Sequence, residues 1–222
     1  MQTDIALGYS GSYERFDTVS KKEASVLMGA DNLVGDRFAI EFKTDNGTTV
    51  AWMKNKFGAL VGYFNPEVSR QLQIYQARGW SLVALLSFVA YTDTPEPGKY
   101  WGEAAIICYD PRRNPDAFET FISTIGSMMQ DSLRPDVSLG QDGIEHVINS
   151  NGTWKPSARV PLPDKERGMA ILKRRRKVSE NLIEQGRAGN KGCYVISWAF
   201  IAVAVAALVV GAYFGLRALG VL

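Results

Sequence analysis

The single histidine of this 222-residue chain, His146, stands in the run Asp142-Gly-Ile-Glu-His146, which puts two carboxylates near an imidazole and suggests an acid–base pair or half of a metal site. Catalytic and metal constellations draw several such residues together from different parts of a fold, and one histidine with two neighbours on its own segment meets that need poorly. It reads as an exposed histidine. Of the two cysteines, Cys108 lies in an apolar run and reads as a small core residue, while Cys193 abuts a long apolar stretch and is a candidate for acylation. No Walker-type loop, Gly-x-Ser-x-Gly elbow or Cys-x-x-Cys pair occurs. No cofactor motif and no metal-ligand set is legible, so the inventory points to binding and away from catalysis. Trp52, Tyr63, Trp80, Tyr91 and Trp101 could line a shallow binding face, with core packing as their alternative role.

Charge is distributed unevenly. Residues 1–154 hold 13 basic and 19 acidic side chains, net −6, whereas residues 155–192 hold 11 and 4, net +7. From Tyr194 to Leu216 there are 23 residues without a charge. As a helix they would rise roughly 35 Å, enough to cross a hydrocarbon layer of about 30 Å. Tyr194, Trp198 and Tyr213 sit near the ends of this run, where amphipathic rings favour the headgroup level. The spacing therefore predicts a C-terminal transmembrane anchor over 193–222. Lys173, Arg174, Arg175, Arg176 and Lys177 form a basic cluster before it, and the positive-inside rule puts the N-terminal bulk in the cytoplasm. The N-terminus lacks a basic stretch followed by an apolar core, which argues against a signal peptide. Asn46-Gly-Thr48 and Asn151-Gly-Thr153 then read as Asn-Gly turns and not as glycosylated sites. Within the span Ala207, Gly211 and Gly215 recur every four residues and would let a second helix approach, a homodimer expectation.

The elements that must position the aromatic residues lie in the acidic head. Residues 37–43 alternate Phe38, Ile40 and Phe42 with charged neighbours, a period of two that predicts a strand; Asp45-Asn-Gly47 turns it and 48–53 return as its partner. A third strand is expected over 59–64. Asn65-Pro-Glu67 then caps a helix with Val68, Leu72 and Tyr75 on one face, ending at Gly79. Residues 80–91 and 100–109 read as two further strands, and Asn114-Pro-Asp116 opens a second helix with Phe118, Phe121, Ile122, Ile125 and Met129 at helical spacing. Five strands and a helix in so short a length suit a small curled sheet or barrel with the helix packed across it. The Gly- and Pro-rich stretch 132–163 reads as a linker, and Asp164 as the cap of a basic juxtamembrane helix within 164–192.

The run Asn32-Leu-Val-Gly-Asp-Arg-Phe-Ala-Ile40, followed by Gly58-Ala-Leu-Val-Gly-Tyr63 and a Pro-Glu-started helix, resembles the HIRAN domain over about residues 5–110. The resemblance implies a small β-barrel related to OB and SH3-like folds. Asp36 falls at the motif acid, with Asn32, Ala39 and Ile40 matching beside it. Some members grip the 3′ end of single-stranded DNA. In this chain Gly35 stands where an aromatic is expected before the acid, and the usual Arg-Glu-Pro is absent, which removes a stacking platform and a phosphate contact. The net charge of −6 on the head also opposes a polyanion.

The sequence thus predicts an α+β protein: a HIRAN-like barrel with packed helices over 1–131, the linker, the basic helix and one membrane span. Its expected role is a single-pass, tail-anchored, non-catalytic module at the cytoplasmic face that recruits a protein partner, with Asn32, Asp36, Trp52 and Tyr63 as candidate ligand contacts and the basic cluster on the membrane surface. The alternative is a membrane-tethered binder of single-stranded nucleic acid.

Overall fold

A computed structural model describes residues 8–176, apart from Ser20, Asn46, Thr94, Pro95, Lys165 and Glu166. The expected transmembrane span, with Ala207, Gly211 and Gly215, lies outside the described residues, as do Lys177 and Cys193. Among the described residues no helix is long and apolar enough to cross a membrane.

In chain order the elements are β1 (Tyr9–Asp17), α1 (Lys21–Met28), β2 (Arg37–Asp45), β3 (Thr48–Lys54), β4 (Leu60–Phe64), α2 (Pro66–Ala77), β5 (Ser81–Thr92), β6 (Lys99–Tyr109), α3 (Pro115–Gln130), α4 (Gln141–Asn149) and β7 (Met169–Lys173). Six antiparallel strands run β2-β3-β4-β1-β6-β5, and a direct β2–β5 pairing closes them into a barrel. The closing seam is short: Arg37, Phe38 and Ala39 pair with Leu85, Ala84 and Val83. Beyond it the same edge of β5 takes β7, with Ala90, Tyr91 and Thr92 opposite Ile171, Ala170 and Met169. The twelve-residue length of β5 allows one edge to serve two partners in succession.

Alternation along β5 and β6 separates two cores. Ala84, Leu86, Ala104, Ile106 and Cys108 face the barrel interior with Phe16, Phe38, Met53 and Phe64. Val83, Leu85, Ala105, Ile107 and Tyr109 face outward and are covered by Phe118, Phe121, Ile122 and Ile125 of α3. A strand buried on both faces reads as a continuous apolar run, which explains the composition of 80–91 without a membrane. A register shift between Leu86 and Phe88 sends Phe88 and Ala90 into a third cluster with Trp101, under Met169 and Ile171 of β7.

The barrel interior is centred on Phe16, which is fully buried. Its ring lies where Gly62 and Gly102 leave room: a Cβ at either position would stand 2.5 Å or 2.6 Å from a ring carbon. Helix α2 begins as its sequence requires, the Asn65 side chain accepting the Val68 N–H at 2.8 Å with Pro66 in the first turn. It presents Leu72 and Tyr75 to the interior, and the Tyr75 hydroxyl donates to Ser10 at 3.1 Å.

Two expectations are corrected. The 132–163 stretch contains helix α4, and its Val137, Leu139, Ile144 and Val147 belong to the core beneath α3, so it is part of the folded unit. The helix expected from Asp164 is not formed where the chain is described: residues 169–173 are strand β7. Met169 and Ile171 alternate onto the Phe88–Trp101 cluster, a period of two that five residues followed by a run of charges conceal.

Candidate functional site

A groove of about 420 Å³ opens beside the start of β2, lined by Asp31, Asp36, Arg37, Phe38, Ala39, Lys54, Asn55, Lys56 and Leu82. The loop entering β2 and the β3–β4 turn form one end of it, held by a chain of side-chain hydrogen bonds. The Asn32 amide donates to the Val26 carbonyl at 2.8 Å, and its oxygen accepts from the Asn55 amide at 3.0 Å. The Asn55 oxygen in turn accepts the backbone N–H groups of Phe57 and Ala59 at 3.0 and 2.9 Å. Both asparagines are buried, so each supplies turn chemistry from beneath the surface.

Asp36 folds back on its own loop, accepting the Leu33 N–H at 2.9 Å, and its other oxygen meets the Arg176 guanidinium at 2.5 Å. Arg176 also donates to the Val34 carbonyl at 3.2 Å. Close by, the Lys173 ammonium is 4 % exposed and donates to the carbonyls of Asn32 at 2.7 Å and Gly29 at 2.9 Å, with Leu27 at 3.5 Å. A cation among the carbonyls that follow a helix satisfies acceptors which the helix itself cannot. The basic cluster is therefore divided. Lys173 and Arg176, expected on a membrane surface, are spent on the loop that holds Asn32 and Asp36; Arg174 and Arg175 are exposed.

On the far side of the groove, Arg37 bonds to both carboxylate oxygens of Glu119 on α3, the second at 2.9 Å, and the Tyr109 hydroxyl donates to the same carboxylate. The Arg37 hydrogen bond holds the Glu119 carboxyl below its usual range. Lys54 pairs with Glu41 at 2.6 Å. Lys56 stands at the turn, 5.5 Å from the ring centroid of Phe57.

Trp52 and Tyr63 are opposite one another on β3 and β4, their ring centroids 5.2 Å apart, and both are partly exposed. Glu41 lies opposite Trp52 on β2, two residue pairs beyond Ala39 and Lys54 and so on the same face of the hairpin. The aromatic pair thus continues the barrel surface that the groove begins. The other aromatic candidates are elsewhere. Trp80 is buried and stacks on Tyr75 at 4.9 Å, Trp101 is buried edge-on against Phe88, and Tyr91 pairs with Tyr100. His146 is exposed on α4 and stacks on Trp154 at 5.3 Å. Among the described residues no three metal-ligating side chains gather. Burial pushes the Cys108 thiol well above the normal range, which removes its nucleophilic form.

A second cleft, about 400 Å³, lies between β1, β6 and the 160–164 segment. Arg134 is buried there between the Tyr13 and Phe88 rings and pairs with Glu103 at 2.5 Å, a contact that fastens the chain after α3 to the barrel.

The groove residues that the sequence alone does not single out are Asp31, Lys54, Asn55 and Lys56, with Phe57 beside them at the turn. The signal of the turn residues was present: Lys54-Asn-Lys-Phe-Gly58 is a charged turn whose tip residue is an aromatic. No protein-family model, curated protein or solved structure matches the chain. The likeness to the HIRAN domain accordingly rests on the residues quoted above.

Proposed function

We propose that this protein is a membrane-anchored binding module whose barrel presents the groove and the adjoining Trp52–Tyr63 surface to a partner protein at the cytoplasmic face. The observation that carries this reading is the clasp of Lys173 and Arg176 on the 29–36 loop. It fixes the chain against the groove, and only residues 177–193 then separate the folded unit from the 23-residue uncharged run. A module tethered there keeps its binding surface within the reach of those 17 residues. Mixed charges around an aromatic pair suit a protein surface, in which polar rim contacts surround an aromatic anchor.

The closed barrel and the pairing of Trp52 with Tyr63 also support a second reading, binding of single-stranded nucleic acid by base stacking, with Arg37, Lys54 and Lys56 along the groove. The −6 charge of residues 1–154 and the engagement of Arg37 and Lys54 with Glu119 and Glu41 rank it below the first.

The test uses the full-length protein in its own membranes. Resistance to alkaline carbonate extraction, together with cleavage of the head in right-side-out vesicles only after permeabilisation, supports the anchored topology; carbonate release or cleavage in sealed vesicles overturns it. Affinity capture with wild-type and Trp52→Ala/Tyr63→Ala protein then looks for a partner retained by the first and lost by the second. Salt-sensitive binding of single-stranded oligonucleotides by the same wild-type protein would favour the second reading.

A further inference from the structure

We infer that the rim formed by the β3–β4 turn, the end of α1 and the end of β7 is a docking surface for an anionic lipid bilayer. The inference rests on the anchored reading for its proximity argument and on independent geometry for its chemistry. Phe57 is 58 % exposed at the tip of the turn, the one aromatic among the large exposed apolar side chains of the described residues. The turn is rigidly presented, since Asn55 bonds two of its N–H groups and is itself bonded to Asn32. Lys173 brings β7 to the same place by its bonds to Leu27, Gly29 and Asn32. Val26 and Leu172, the neighbours of two of these residues, are 39 % and 40 % exposed.

Single exposed apolar residues are ordinary on a soluble surface. Here they come from three elements that the Asn32–Asn55 and Lys173 hydrogen bonds tie together, and exposed cations belong to two of the same segments: Lys56 beside the Phe57 ring, and Arg174 and Arg175 between the two residues that clasp the loop. An apolar residue that enters the acyl boundary with basic residues at headgroup level is the composition of an interfacial anchor, and each basic residue adds a modest, salt-screened attraction to anionic lipid.

Proximity comes from the chain. The 17 residues from 177 to 193 span at most about 60 Å when extended. The rim they leave is therefore at high effective concentration relative to the bilayer, and weak contacts suffice to seat it.

Photo-crosslinking separates docking from anchoring. Full-length protein is reconstituted into phosphatidylcholine vesicles, with or without phosphatidylserine, that contain a photoactivatable phospholipid, and labelled peptides are mapped by mass spectrometry. Labelling of residues 54–58 and 169–176 is expected in the anionic vesicles, about tenfold above the neutral ones. A Lys56→Glu/Phe57→Ser/Arg174→Glu/Arg175→Glu variant should lose it to a similar degree, with near-ultraviolet circular dichroism unchanged. Labelling of 194–216 alone, equal in both vesicle types, overturns the docking surface and leaves the anchor standing. Absence of label from 194–216 overturns the anchor, and head labelling in anionic vesicles then still decides docking by itself.

Discussion

The guanidinium of Arg176 meets the carboxylate of Asp36 across 140 positions of sequence, and each side chain is only 12 % exposed. Removing one member leaves the other charge in a poorly solvated place, which costs roughly 3 kcal/mol. Arg176→Met and Asp36→Asn should each lower the unfolding free energy by that order, and the double variant by distinctly less than the sum. Additive losses in urea titrations would show that the pair is not coupled.

Lys173→Met keeps the apolar stem and removes the ammonium. The carbonyls of Gly29 and Asn32 then lose a charged donor, a loss of about 1.5–3 kcal/mol per charged hydrogen bond. Amide exchange should accelerate first in residues 26–36, while the β5–β6 amides change only with global stability. Uniform acceleration across the barrel would argue that the clasp is no local device.

Two carboxyls give opposite pH slopes. The Arg37 hydrogen bond lowers Glu119 from 4.5, so its contribution is present above that pH and is lost as pH falls through the depressed value. Burial raises Glu14 above 4.5, so its contribution is present below that pH and is lost as pH rises through the raised value. Glu14→Gln should therefore stabilise the protein near neutrality and flatten the rise in stability toward acid. Glu119→Gln should remove part of the acid destabilisation, an effect under about 1 kcal/mol because the pair is largely solvent-exposed and salt-screened. Thermal melts between about pH 3 and 7 read both slopes.

Gly62→Ala and Gly102→Ala each drive a methyl into the ring of Phe16. Overpacking of this kind costs about 1–3 kcal/mol. Phe16→Leu, itself destabilising, should recover part of the Gly62→Ala loss in the double variant, read as a melting temperature. Gly102 also faces the Phe88 carbonyl, which cannot repack, so the same rescue should be weaker there.

The strands and helices that carry an apolar period were legible. The hairpin of β2 and β3, strands β4 to β6, and helices α2 and α3 fall within a residue or two of the positions that alternation and Asn-Pro starts indicate. The elements that escaped have their pattern interrupted by what they face. In β1 the residues Ser10 and Ser12 replace apolar ones, and Ser10 is there to accept the hydroxyl of Tyr75, 65 residues on. In β7 the buried inward residue after Ile171 is Lys173, a cation whose partners are backbone carbonyls. Side-chain types alone cannot show a demand made by carbonyl oxygens, so the basic cluster read wholly as a surface feature. The same limit applies to the candidate site. Asp36 lines the groove and Asn32 is buried beneath it, and their engagement by Arg176 and Asn55 depends on segments that return from elsewhere in the chain.

The barrel is closed by three residue pairs between β2 and β5, and β7 lies immediately beyond them on the same edge. Arg176 holds Asp36, whose neighbour Arg37 begins that seam and whose carbonyl accepts from Leu86 of β5, so the end of the described chain, the 29–36 loop and the seam are joined at one place on the barrel.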